Sequence, residues 1–422
     1  MPVVSSLRAQ IMRLKRLGNM VSLEVAGWRL EGLSAVIRSP RADTIPYLSY
    51  MMKQSKFLLL TAIALLPLVL TSCLGGGQPT GGWSGPTVHN GIIYAGTRDG
   101  SVVAINASVR ELQWQWPETT GARSLIYGTP VVHGDLLYVG AYAGQVYALT
   151  LDHGAERWVY PRTGSIGAIV GTPVVVNETI YVPSSDGSVY ALDATYGDLK
   201  WTSEPLAEKL WTSPVVVGDT LYVSTLDGHI YDLSLETGQL LGWSFKADSG
   251  FASSPLVNGD HIYVGSFDRH LYAVEIGSNV STWKFPEQKP AGNWFWASPV
   301  VNEGTVYAGC LDGKLYAIEA ETGEELWEFD AASPIVSSPV LAGKLLVVID
   351  ESGNVYVFDI STGSGDESVP LTVISIGASV RSPFYAQGDL IYIRAEDDSV
   401  YVVDISEGEI VSGWPVSLAA EE

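Results

Sequence analysis

Ser253-Ser254-Pro255-Leu256-Val257, His261-Ile262-Tyr263-Val264-Gly265-Ser266 and Leu271-Tyr272-Ala273-Val274-Glu275 follow one another within residues 253–275. This stretch decides the fold, because the chain writes it again and again. A Pro ahead of an apolar run recurs at Pro86, Pro130, Pro173, Pro214, Pro255, Pro299, Pro339 and Pro383, at intervals of 40 to 44 residues. A second run follows each, such as Leu137-Tyr138-Val139-Gly140. A tight turn comes next: Asp99-Gly100, Asp186-Gly187, Asp227-Gly228, Asp312-Gly313. A third run, such as Val189-Tyr190-Ala191-Leu192-Asp193 or Leu315-Tyr316-Ala317-Ile318-Glu319, then leads to a Gly turn and a Trp segment: Gly197 to Trp201, Gly238 to Trp243, Gly323 to Trp327.

Each step has a physical reason. Asp-Gly supplies the positive φ of a two-residue hairpin whose twist matches its strands. Runs rich in Val and Tyr and apolar on both faces suit strands packed between neighbours. Pro at a strand's start leaves the ladder intact. Four strands in each repeat, eight repeats and no helical stretch predict an all-β chain, an eight-bladed β-propeller of four-stranded antiparallel blades. The propeller is expected over residues 83–416, ahead of an acidic tail at 417–422. No spare strand precedes Trp83, so each blade should come from one contiguous repeat and the ring should close by packing.

Composition narrows the function. There are 24 Lys+Arg against 46 Asp+Glu, a net charge of −22, which argues against nucleic acid as a partner. Two cysteines, Cys73 and Cys310, exclude a disulfide-stapled scaffold, a Cys-based zinc site and a CxxCH haem site. Cys310 reads as a small buried thiol. His89, His133, His153, His229, His261 and His270 lack metal-ligand spacing, and Asp186, Asp227, Asp268 and Asp312 recur at one turn, so turn chemistry accounts for them. HExxH, GxSxG and Gly-Lys-Ser/Thr motifs are absent. No metal site is expected.

The N-terminal part has a different character. Residues 1–50 carry seven Lys/Arg and three acids, and no fold is built on them here: they read as a misplaced gene start or a disordered extension. Lys53 and Lys56 precede the uncharged run Phe57 to Leu70, which is too short to span a bilayer and reads as a secretory signal over residues 51–72. Leu70-Thr71-Ser72-Cys73 resembles a bacterial lipobox, which implies lipidation of Cys73, with residues 73–82 a Gly-rich tether. Twenty-four less nine Lys+Arg and 46 less three Asp+Glu leave 15 against 43 after residue 72, net −28. Such a surface does not adsorb to anionic lipid, so a lipid anchor would have to hold the protein at a membrane. The implied location is the periplasmic face of an outer membrane or the outer face of a cell membrane.

The unit Ser253 to Glu275, and Glu319-Ala320-Glu321-Thr322-Gly323-Glu324-Glu325-Leu326-Trp327, resemble the repeat of pyrroloquinoline-quinone (PQQ)-type, quinoprotein-like propellers. The resemblance implies that a repeated Trp docks between blades: Trp114 (or Trp116), Trp158, Trp201, Trp243, Trp283, Trp327 and Trp414. The seventh repeat departs, with Ser364-Gly365-Asp366-Glu367-Ser368 and no Trp after Gly363, which implies a looser blade edge. Quinoprotein dehydrogenases of this kind resemble one another in an adjacent Cys-Cys pair. Cys310 is alone here, so the resemblance argues against PQQ, or any other cofactor, and against an enzyme. Signal, lipobox and eight short repeats together resemble the BamB-type outer-membrane assembly lipoproteins. That implies a non-enzymatic scaffold for a β-barrel assembly protein, and Leu74 after the Cys implies no retention at the inner membrane. An extracellular peptide- or glycan-binding propeller, and a PQQ-dependent dehydrogenase, are the alternatives.

Two connections are longer and more aromatic than the others, Thr202 to Trp211 and Pro286 to Trp296. Trp83, Trp211 and Trp296 each lie three residues before a Pro and should project near one rim of the channel. Trp211, Trp294, Phe295 and Trp296 are the candidate partner or ligand surface, since loops on a rigid ring hold binding residues and exposed aromatics anchor interfaces.

Overall fold

The computed structural model describes residues 82–117, 124–361 and 367–418, and the strands within residues 14–29 by their backbone. The signal segment, Cys73, the tether to residue 81 and residues 419–422 lie outside the described residues. The chain divides into two units, residues 1–78 and 79–422. In the first, Leu14–Leu17, Met20–Val25 and Trp28–Arg29 form an antiparallel three-stranded sheet where no fold was expected. The alternation Val21, Leu23, Val25 is the period-two pattern of a strand.

The second unit is the eight-bladed β-propeller. Its blades are residues 87–116, 131–160, 174–202, 215–246, 256–285, 300–330, 340–375 and 385–417, numbered 1 to 8. In each, consecutive strands pair antiparallel in chain order, from a short inner strand such as Thr87–His89 to an outer one such as Glu111–Trp116. No helix occurs among the described residues.

The second and third strands carry the core. Ile92–Gly96 and Val102–Asn106 are buried almost throughout, because each blade faces two neighbours. Apolar clusters therefore sit in the seams between blades, as where Tyr138, Val146 and Trp158 of blade 2 meet Ile180 and Leu192 of blade 3. Outer strands bury less, and Leu112, Leu199, Leu240 and Leu326 are exposed on them.

The repeated Trp riveting the seams is Trp114 in blade 1, not Trp116. Its indole Nε1–H donates to Leu151 O of blade 2 at 2.9 Å, and a Cβ on Gly154 would lie 2.5 Å from its ring. Trp158 repeats this with Ala194 O and Gly197, and Trp283 with Ala320 O and Gly323. Trp201 lies under Gly238, and Trp243 donates to Ser278 O. Trp327 donates to the Glu367 carboxylate instead. A Tyr on the second strand packs against the Trp in each of blades 1 to 6, edge to face in blade 4 and tilted in the others, with ring centroids 5.7–6.0 Å apart. In three seams its hydroxyl donates to the same carbonyl as the indole, as Tyr138 does to Ala194 O.

Blades 7 and 8 depart from this scheme. In blade 7, Thr372 pairs with Val357 where blades 1, 2, 3, 5 and 6 pair Trp with Ala, and its Oγ1 lies under Gly408. In blade 8 the outer strand is broken into Glu409–Ile410 and Val416–Ser417, and Trp414 falls between the pieces. Trp414 is half-buried against the blade 8–blade 1 core, but no glycine of blade 1 sits over it. There the roles are reversed. Arg110 occupies the positive-φ turn position, and its guanidinium lies against Gly413.

Among the described residues the ring closes without a shared strand. Blade 1 packs Val88, Ile93 and Val103 on Tyr392, Val400 and Val402 of blade 8, and Leu418 joins them. Propeller contacts thus continue to residue 418, past the expected start of the tail. Arg394, almost wholly buried, donates from Nη1 to Gly82 O at 3.0 Å and from Nη2 to Asp398 Oδ1 at 3.1 Å. Asp398 Oδ1 also accepts the Arg98 N–H of blade 1. Gly82, placed in the tether by the sequence, is therefore part of the clasp.

Candidate functional site

The segments leading into the inner strands build the axis of the ring. Each crosses the turn between the second and third strands of its own blade and is tied there by a backbone hydrogen bond. Tyr142 N–H to Leu125 O, Ser185 to Ala168, Leu226 to Lys209, Phe267 to Gly250, Leu311 to Trp294, Glu351 to Pro334 and Glu396 to Ser379 are the same bond in blades 2 to 8, always 17 residues apart.

Past that bond side chains alternate between the core and the axis. In blade 4, Leu210 and Thr212 are buried, whereas Trp211 and Ser213 face the channel. In blade 6, Phe295 and Ala297 are buried, whereas Trp296 and Ser298 face it. Phe295 therefore leaves the candidate surface. It is 1% exposed, packs on Gly265 and Tyr316, and anchors the loop that presents its neighbours. In blade 8 the phase shifts by one residue. Phe384, not Pro383, stands ahead of the inner strand Tyr385–Gln387, so Arg381 and Pro383 face the channel while Val380 and Ser382 are buried.

Two tiers result. The outer tier has one residue from each blade in order: Trp83, Tyr127, Val170, Trp211, Ala252, Trp296, Val336 and Arg381. All line one cavity of about 250 Å³. Two residues further along lies a belt of small hydroxyls that clasp blade to blade. Thr129 N–H donates to Thr172 Oγ1, Thr172 to Ser213 Oγ, Ser213 to Ser254, Ser254 to Ser298 and Ser298 to Ser338, each at 2.9–3.0 Å. Gly85 closes the belt, since a Cβ there would meet Pro383 O at 2.7 Å and Thr129 Oγ1 at 2.9 Å.

Trp83 and Trp296, from blades 1 and 6, meet edge to face over the cavity at 6.4 Å. Around them runs a continuous aromatic arc. Tyr142 lies 5.3 Å from Tyr127, Tyr127 5.2 Å from Trp83, Trp296 6.0 Å from Phe267, and Phe267 4.9 Å from Trp294. Trp294, 43% exposed, ends the arc on the open surface. Of the four residues proposed from sequence, Trp211 and Trp296 line the cavity and Trp294 lies beside it. Tyr127, Tyr142 and Phe267 were missed. Tyr127 is legible by the same three-before-Pro rule, whereas Tyr142 and Phe267 sit on turns with no marker of their own.

Charge at the mouth is local. Arg381 Nε donates to Glu351 Oε1 at 2.6 Å, so the one cation of the outer tier is neutralised by its neighbour. The turn aspartates act as turn chemistry predicts. Asp186, Asp268 and Asp312 accept the backbone N–H two residues on and the hydroxyl of the Tyr four residues on, and Asp227 holds His229. Cys310 is buried beneath the blade 6 loop with Sγ toward Asn293 O and Trp294 O, and burial pushes its thiol pKa far up. Among the described residues no group of three or more His, Cys, Asp or Glu could hold a metal ion, and no helix is long and apolar enough to cross a membrane.

The family described as outer membrane protein assembly factor BamB matches residues 74–241 and 185–413. BamB from Moraxella catarrhalis is similar in structure, with a TM-score of 0.62 and 18% identity over 76% of this chain and 93% of that one. The computationally designed protein Ika8 is similar too, with a TM-score of 0.63 and 16% identity over 77% of this chain and 97% of that one. At these identities the likeness is one of fold. No curated protein matches the chain.

Proposed function

From a chain that belongs to the outer membrane protein assembly factor BamB family, we propose a non-enzymatic envelope scaffold that docks a protein partner on the aromatic face of its propeller. The family match over nearly all of the propeller is the observation that carries this reading. The aromatic arc supports it. Rigid rings held by blades 1, 2, 5 and 6 end in the exposed Trp294, and exposed aromatics on a fixed frame are the usual anchors of interfaces.

In this reading the protein is exported, acylated on Cys73 and held at the periplasmic face of an outer membrane. It binds no cofactor and assists assembly of β-barrel proteins. Charge agrees with the anchor: net −22 gives the chain no electrostatic hold on anionic lipid.

The test is purification of the native protein in mild detergent, with mass spectrometry of what accompanies it. The expected result is a membrane β-barrel with periplasmic domains in near-equal amount, and its loss on Trp294→Ala with Trp296→Ala. Recovery of the propeller alone, with Cys73 acylated, would overturn the scaffold reading. Recovery of the partner with both variants would remove the aromatic face from it.

A further inference from the structure

The cavity on the axis has a chemistry that a flat protein-docking surface does not need. Trp211 alone among the four aromatics of the outer tier makes no ring contact among the described residues, so its faces are not taken by another ring. Across the ring, four blades away, stands Arg381 with its charge balanced by Glu351. Beneath them lies the hydroxyl belt. Thr172, Ser213, Ser254, Ser298 and Ser338 each use oxygen to accept a backbone N–H. A hydroxyl bound in this way still has its hydrogen to give, and among the described residues no protein acceptor takes any of these five. The belt thus presents an arc of five O–H donors, from blades 3 to 7, in a fixed frame.

We propose that the axial cavity is a binding site for one uncharged pyranose ring, stacked on Trp211 and hydrogen-bonded by Arg381 and the hydroxyl belt. Three features select this class. The space, about 250 Å³, is below the usual range for drug-sized ligands and suits a single sugar ring. The walls combine an aromatic platform with many hydroxyl donors, as a ring with apolar C–H faces and polar edges requires. The ion pair leaves no net charge at the mouth, so neither a free carboxylate nor a phosphate finds an unpaired cation there. Arg381 lines the cavity, and its guanidinium N–H groups not taken by Glu351 can donate to sugar hydroxyls, which they could not do for an apolar side chain.

The test uses the full chain in a detergent without a sugar headgroup, and no protein partner. D-glucose, D-galactose, D-mannose and N-acetyl-D-glucosamine are titrated singly while tryptophan fluorescence is read. At least one should give a saturable change with a dissociation constant in the millimolar range expected of so small a ligand. Trp211→Ala should weaken it about tenfold or more, and Leu240→Ala, exposed on the outer strand of blade 4, should leave it unchanged. D-glucuronate should bind no tighter than D-glucose. If Trp211→Ala does not fold, as judged by circular dichroism, the exposed Arg381→Gln is the second variant and should also weaken binding. Absence of saturation by every sugar, unaltered binding in a folded Trp211→Ala or Arg381→Gln variant, or preference for glucuronate overturns the proposal. None of these outcomes depends on the protein partner, so this site and the scaffold reading can fail separately.

Discussion

Gly197→Ala tests the riveted seams most directly. Gly197 has φ +71° and ends the turn between the third and fourth strands of blade 3. A Cβ there would lie 2.5 Å from Cδ2, 2.6 Å from Cε3 and 2.9 Å from Cγ of Trp158. The ring cannot tilt away cheaply, because its Nε1–H is bound at 3.0 Å to Ala194 O in the same turn. Two costs follow. Left-handed backbone for alanine costs about 1–2 kcal/mol. Forcing a methyl into a packed seam costs about 1–3 kcal/mol more, with the indole hydrogen bond at risk. Gly218→Ala is the control. Gly218 has φ +56° and nothing within 4 Å of the added Cβ, so it carries the backbone cost alone. Urea unfolding should show Gly197→Ala less stable than Gly218→Ala by about 1–3 kcal/mol with the slope unchanged. Equal losses in the two variants would refute the reasoning, because the seam would then tolerate the methyl.

Three further outcomes follow from the geometry. Arg394→Met should cost about 1–3 kcal/mol and speed proteolysis near residue 82, since it leaves Asp398 only the Arg98 N–H and frees Gly82; intact-mass analysis during limited digestion reads it. Cys310 should resist alkylation in the native protein and react once it is denatured, because it is buried and burial disfavours its thiolate; peptide mapping locates the label. Tyr138 and Tyr307 are pushed up to about 12 by burial, and Tyr401 to about 12 by burial and then by its bond to Asp397. Unfolded phenols lose their protons near pH 10 while these keep theirs, so the stability they contribute is intact below pH 10 and falls between about pH 10 and 12. Denaturation midpoints measured across that window should decline; a flat profile would contradict it.

The architecture was legible because its signals are local and repeated. Pro, Asp-Gly, Gly and Trp stand at fixed places in one strand order, and each carries its own backbone or packing reason. What repeats imperfectly was harder to read. Pro383 looks like the marker of the last repeat, yet the strand phase is set by burial of Val380, Ser382 and Phe384, which a Pro count does not register. Phe295 sits between two tryptophans and reads as part of their cluster, but alternation along the segment turns it inward. Arg394 had no sequence signal at all. Its partners, Gly82 and Asp398, come from opposite ends of the propeller, and only closure of the ring brings them together.

Because among the described residues no strand is shared between the first and last blades, the ends of this ring fall at a seam like the other seven. Chain order and spatial order are therefore separable. The polypeptide could begin at any of the open turns, such as Gly218 or Gly259, where an added Cβ meets nothing within 4 Å, and still trace the same eight sheets. In such a permuted chain Arg394 would pass from a clasp on loose ends to an ordinary seam contact, and the place where the ring must be held shut would move with the break.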